Sequence, residues 1–316
     1  MKFRLSIGLS LLWYATFAQS PLHSTLQNSP LGYTLITPPG TAKGLIVFIP
    51  GFAQTADQLL QETEFEKLAY LYGITTIVVP CGRKMYADGQ VVKLLNEAII
   101  ATLSDYNIAP NKVVMGGFSA GGTIALKYTQ YCLKYPESYP IKPKAVFAVD
   151  SPVDLKEIYS YMERELEKQY SEAGVSEAYV IKALMERELG GTPTEVPVRY
   201  QELSPFTKGA KLGGEAEVLK SFPIRLYHDA DIQWQLKNRR RSFYDMNIAP
   251  ASEMINQLML LGNTRAELMM TVGKGVRSNG ERHPHSMSIV DEQELMIWIL
   301  KHLEVETNPA HKKASN

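Results

Sequence analysis

Apolar and polar positions along this chain fall into two alternating rhythms. Tyr33 to Thr37, Gly44 to Gly51, Ile74 to Val79, Val113 to Met115 and Lys144 to Val149 are short apolar runs that read as strands. The run from Gly44 to Gly51 is unbroken, as expected of a parallel strand buried on both faces. Between these runs, Thr55 to Tyr72, Asp88 to Tyr106 and Thr123 to Tyr135 read as helices; in the last, Ile124, Tyr128, Tyr131 and Tyr135 recur at steps of three or four. Alternation of this kind predicts an α/β protein with a mostly parallel central sheet and helices on both faces.

The rhythm breaks after Asp150-Ser151-Pro152. Asp154 to Tyr170 and Ser176 to Leu189 read as two charged amphipathic helices with no strand between them, and Gly, Pro and polar residues dominate from there to Gly214. The sheet resumes with Phe222 to Asp231, an apolar run that closes on a polar turn. Arg239-Arg240-Arg241 opens the next predicted helix and reads as a solvated face. Ser252 to Leu261 is a further helix, Glu267 to Val272 the last strand, and Ser288 to Leu303 the final helix. A turn-rich loop carrying His283 and His285 precedes it, and residues 304–316 read as a polar tail.

The candidate chemistry lies at Gly117-Phe118-Ser119-Ala120-Gly121, between the run ending at Met115 and the helix starting at Thr123. A strand that turns at once into a helix strains its central residue, and only small neighbours let the chain pass so closely. The turn lifts the Ser119 hydroxyl above the sheet edge and leaves the Ala120 N–H facing it. This stretch resembles the nucleophile elbow of the α/β-hydrolase superfamily, and the likeness extends over nearly all of residues 31–303.

The resemblance implies a Ser119, Asp231, His285 triad in the family's chain order, with the N–H groups of Phe52 and Ala120 as an oxyanion hole. Asp150 and Asp229 remain alternative acids, His283 an alternative base, and Ala53 an alternative donor. Pro50 stands where the family often has a histidine before that glycine. No metal or organic cofactor is implied. The insertion at about 152–215 resembles the lid of many relatives; packing on the sheet flank is the plainer alternative. Its narrow apolar faces predict short or polar substrates. Hydrolysis of a small ester is the first function implied. A prolyl-oligopeptidase-like peptidase, suggested by Ser204-Pro205 and the following strand, and a non-catalytic binding protein on the same scaffold are the others.

Composition and the N-terminal segment narrow this picture at four points. With 316 residues and 45% hydrophobic side chains, the chain can bury a large core as one domain with an insertion or as two small ones; the resemblance favours one domain, residues 19–303. Lysine plus arginine equal aspartate plus glutamate, 33 to 33, so no electrostatic footprint points to nucleic acid. Lys2 and Arg4 followed by the apolar run Leu5 to Phe17 and by Thr16-Phe17-Ala18 predict a secretory signal cleaved after Ala18, with export to a periplasm or beyond and no spanning helix thereafter. Cys81 and Cys132 are expected to remain unpaired: the helix from Ser119 carries Cys132 about 20 Å away from the strand end where Cys81 lies. Nothing in the composition speaks to oligomeric state.

Overall fold

The computed structural model describes residues 25–29, 32–139 and 141–306; the expected signal segment and most of the expected tail lie outside them. In chain order the elements are β1 (Thr25–Asn28), β2 (Thr34–Thr37), β3 (Leu45–Ile49), α1 (Ala56–Leu60), α2 (Phe65–Leu71), β4 (Thr75–Val78) and α3 (Gly89–Asp105). Next come β5 (Val113–Phe118), α4 (Ala120–Lys134), β6 (Pro143–Val149), α5 (Leu155–Lys168), α6 (Glu172–Leu189) and α7 (Pro197–Leu203). A kinked 3-10 segment, Lys211–Leu219, leads to β7 (Ile224–Asp229), α8 (Ile232–Arg239), α9 (Ile248–Leu260), β8 (Ala266–Thr271) and α10 (Glu292–Leu303).

The strands form one sheet in the order β1-β2-β4-β3-β5-β6-β7-β8. The strands from β3 to β8 run parallel, and β1 and β2 add an antiparallel edge beside β4. Every residue of β3 is buried, as its unbroken apolar run requires of a strand covered on both faces. One face packs on α3, α4 and α9. The other packs on α2 and α10 around Phe48, Phe65 and Phe147, whose ring centroids lie 5.8–6.1 Å apart. A third apolar cluster gathers α5, α6 and α7 over Met85, Tyr86 and Ala120.

Chain order reverses between β3 and β5: β4 lies on one side of β3 and β5 on the other. In open α/β sheets the crevice at such a point, beyond the strands' carboxyl ends, is where ligands bind. Among the described residues no helix is long and apolar enough to cross a membrane, and Cys81 and Cys132 are both free thiols.

The departures from expectation have local causes. The helix predicted from Thr55 to Tyr72 is two helices, because Glu62 and Thr63 turn their side chains away to bind residues beyond β8. The final helix starts at Glu292 rather than Ser288, where the Asp291 side chain caps the Glu294 N–H. Ser171 caps α6 and starts it earlier than Ser176. Arg239 ends α8 instead of opening a helix, with Arg240 as its left-handed cap. Strand β1, helix α7 and the 3-10 segment gave no legible apolar period.

Candidate active site

Ser119 sits between β5 and α4 with φ 53° and ψ −127°, a conformation that non-glycine residues adopt only under local constraint. Flanking glycines make the turn possible. A Cβ at Gly117 would lie 2.3 Å from the Gly121 backbone, and one at Gly121 would lie 2.0 Å from the Ile49 carbonyl oxygen. Neither clash can be relieved by a flexible side chain, so the Gly-x-Ser-x-Gly spacing is sterically imposed. The Pro50-Gly51-Phe52 loop at the end of β3 comes close as well: a Cβ on Gly51 would be 3.3 Å from that of Ser119.

His285 comes from the loop between β8 and α10. Its Nε2 is 3.0 Å from Ser119 Oγ, and its Nδ1 is 2.5 Å from Asp150 Oδ2. The Phe118 ring lies beneath the imidazole, centroid to centroid 4.8 Å. Asp150 ends β6, the hydrogen-bonded neighbour of β5, and has φ 42°. Its other oxygen, Oδ1, is 2.9 Å from Nδ1 of the fully buried His228. Burial alone would push the Asp150 carboxyl up. The imidazoles of His285 and His228 outweigh it and hold the group well below the usual carboxylate range.

The expectation of Asp231 facing His285 is therefore corrected. Asp231 caps α8, accepting from the Trp234 N–H at 2.9 Å, and its Oδ2 takes Arg282 Nη2 at 2.8 Å. Asp229 accepts from the N–H groups of Gly273, Lys274 and Gly275 and from Arg282, which ties the loop after β8 to the end of β7. Both oxygens of each carboxylate are engaged by structural partners. His283 is set apart from Ser119 too: its Nδ1 accepts the His285 N–H at 3.1 Å, and burial, aided by nearby His285, Arg277 and Arg239, pushes its pKa down to about 3.

The histidine loop is anchored from the far end of the chain. Glu62, in the break between α1 and α2, receives the Ser286 hydroxyl at 3.2 Å, the Met287 N–H at 3.3 Å and Arg277 at 3.2 Å. At the β3 end, the Ala53 N–H is engaged by the Gly82 carbonyl at 2.8 Å, whereas the Phe52 N–H has no partner among the described residues. Ala120 is the first residue of α4, where a helix leaves its N–H groups unpaired.

Ser119, His285 and Asp150 open into a cavity of about 190 Å³. Ile158, Tyr161 and Met162 of α5 and Ile181 of α6 form one wall of it, so the insertion faces the site rather than lying only on the sheet flank. Arg239 and Arg241 also reach the cavity, which corrects their reading as a purely solvated face. Sequence reasoning missed the roles of Glu62 and His228. A buried Glu in a helix break and a His at a strand end carry no motif by themselves.

The fold is that of the α/β-hydrolases. An S-formylglutathione hydrolase from Agrobacterium tumefaciens matches with a TM-score of 0.54 at 13% identity, over 89% of this chain and 93% of its own. A hormone-sensitive lipase from a metagenome library matches at 0.53 and 14% identity, over 88% and 84%. An acylaminoacyl peptidase from Pyrococcus horikoshii matches at 0.53 and 15%, over 90% of this chain but 41% of its own. Those neighbours are hydrolases; at such identities the likeness carries the fold alone. No family model and no curated protein sequence matches the chain.

Proposed function

We propose that the protein is a serine hydrolase acting on short or polar carboxylic esters through an acyl-enzyme. The observation that carries this reading is the hydrogen-bonded series from Ser119 through His285 to Asp150. Ser119 Oγ attacks the ester carbonyl while His285 Nε2 takes its proton, and Asp150 holds the imidazole in the tautomer whose Nε2 is free to accept. The N–H groups of Phe52 and Ala120 receive the oxyanion. As the tetrahedral adduct collapses, His285 returns its proton to the departing alcohol. A water then attacks the acyl-enzyme with His285 as base, and the acid leaves with Ser119 restored. No metal or organic cofactor enters these steps.

Two features favour small substrates. The cavity is below the ~300 Å³ at which pockets for drug-sized ligands begin. The buried apolar residues of α5 and α6 are largely spent holding these helices over the site as a lid, at about residues 152–215. Export after Ala18 belongs to the same reading: the enzyme would meet its substrates in a periplasm or outside the cell.

Fluorophosphonate labelling tests the activated serine. Label should attach to the wild-type protein and be absent from Ser119→Ala, with kcat for p-nitrophenyl acetate falling about 10⁴- to 10⁶-fold. Unlabelled wild-type protein, or an active Ser119→Ala variant, would remove the reading and favour a binding protein on a hydrolase scaffold. A rate that peaks with acyl chains of ten or more carbons would remove the short-ester preference.

A further inference from the structure

We propose that Arg239 and His283 form a carboxylate-binding subsite in the cavity, so that the preferred ester carries a carboxylate besides the bond that is cleaved. This rests on the serine-hydrolase reading of the neighbouring triad.

The hydrogen count at His283 is the starting point. Its Nδ1 accepts the His285 N–H at 3.1 Å, so in the neutral ring the hydrogen sits on Nε2. That Nε2 lies 3.5 Å from Arg239 Nη2, and a guanidinium has no lone pair to offer. Two donors thus face each other with no acceptor between them. Burial keeps this imidazole neutral through the physiological range, which preserves the arrangement. The Trp234 ring, centroid 4.8 Å away, fixes the ring's tilt, and the His283 and His285 ring centroids are 6.4 Å apart. An anion held at His283 therefore lies within one small molecule's length of the reacting serine.

The charges around the cavity point to the same residue. Arg241 is paired with Glu165 at 3.0 Å and Arg277 with Glu62 at 3.2 Å. Asp245 is held by Arg164 at 2.6 Å and Lys168 at 2.8 Å, and Asp229 by Arg282 at 3.0 Å. Arg239 donates to the Ser171 hydroxyl at 2.7 Å and has no carboxylate partner among the described residues. Glu177, the remaining glutamate of the lining, is 4.0 Å from Arg241 Nη2, so among the described lining residues Arg239 is the cation with no carboxylate in ion-pair contact. Bidentate capture of a planar carboxylate is the chemistry to which a guanidinium is best suited.

Two matched substrate pairs test the subsite and locate the carboxylate. The mono-p-nitrophenyl ester of adipic acid is compared with p-nitrophenyl hexanoate, and 4-acetoxybenzoate with phenyl acetate. In at least one pair, wild-type kcat/KM should favour the anionic ester by about tenfold at low salt, and the favoured pair tells whether the acyl or the leaving group carries the charge. Arg239→Gln should shrink that ratio at least fivefold, and Arg239→Lys should restore part of it. Isothermal titration of the Ser119→Ala protein with adipate gives a second reading that needs no turnover: adipate should bind, and binding should be lost when Arg239→Gln is added. Neutral esters cleaved with no anionic preference would overturn the subsite and leave the hydrolase reading standing, as would a preference that Arg239→Gln leaves intact. Adipate binding that depends on Arg239, with no ester cleaved, would do the reverse.

Discussion

At the end of β6, Asp150 is held between two imidazoles; at the end of the neighbouring β7, Asp229 and Asp231 are held by backbone N–H groups and one guanidinium. All three are aspartates at carboxyl ends of adjacent parallel strands. Their partners set them apart. Asp229 and Asp231 spend their lone pairs on closing a loop and capping a helix. Asp150 spends its own on a ring whose other nitrogen reaches a serine hydroxyl. A third kind of carboxylate completes the contrast: Glu66 in α2 is buried with Oε2 unpartnered, and burial pushes its pKa up to about 7. Burial acts in the same direction on Asp150, yet there the two imidazoles reverse the outcome.

The largest effect that tests this contrast is on turnover. Asp150→Asn should lower kcat about 10⁴-fold, because an amide cannot stabilise the imidazolium and can favour the wrong tautomer of His285. Steady-state hydrolysis of p-nitrophenyl acetate measures it. Loss of similar size in Asp231→Asn, with Asp150→Asn near wild type, would return the acid to the end of β7.

The next effect is on stability. Glu66 binds its proton more tightly in the folded protein, about 7 against an ordinary 4.5, so between those values the folded state holds more protons than the unfolded one. Stability from this group is therefore lost as pH rises through that window. Glu66→Gln should stabilise the protein by up to about 3 kcal/mol at pH 8 and have little effect at pH 4. Urea titrations at the two pH values check this; an equal gain at both would mean that ionisation is not the cause.

Smallest is the change expected at Asp231. Asparagine is as good a helix cap as aspartate, so Asp231→Asn loses mainly the charge facing Arg282, which is about one-quarter exposed. Activity should stay within about threefold and stability within about 1 kcal/mol. Thermal melts and the same ester assay suffice.

The sheet was legible because a parallel strand covered on both faces announces itself as an unbroken apolar run, as Leu45 to Ile49 does. The elbow was legible because backbone crowding around Ser119 permits only glycine at positions 117 and 121. What the sequence does not encode locally is which of several strand-end aspartates meets the histidine. That depends on where the loop between β8 and α10 lands, and its course is set by Glu62, Asp229 and Arg282, residues far apart in the chain. Asp150 did carry one signal: it ends the strand that follows the elbow's own helix, and β6 pairs directly with β5. The arginines at 239–241 misled for a related reason, since a charge run shows its composition but not which members turn inward.

The clasp that Glu62 makes with the Ser286 hydroxyl and the Met287 N–H joins positions more than 220 residues apart in sequence. During synthesis, Glu62 and Ser119 are made long before the histidine that completes the site. Closing so long a loop is slow relative to forming local contacts, which predicts that His285 is seated late in assembly. A nascent chain would therefore carry a finished elbow and an inert serine, and reactivity toward a fluorophosphonate would appear only when the sheet's last strand and the loop beyond it had docked. On the proposed reading, catalytic competence would report on completed folding, switched on when two segments far apart in the chain meet.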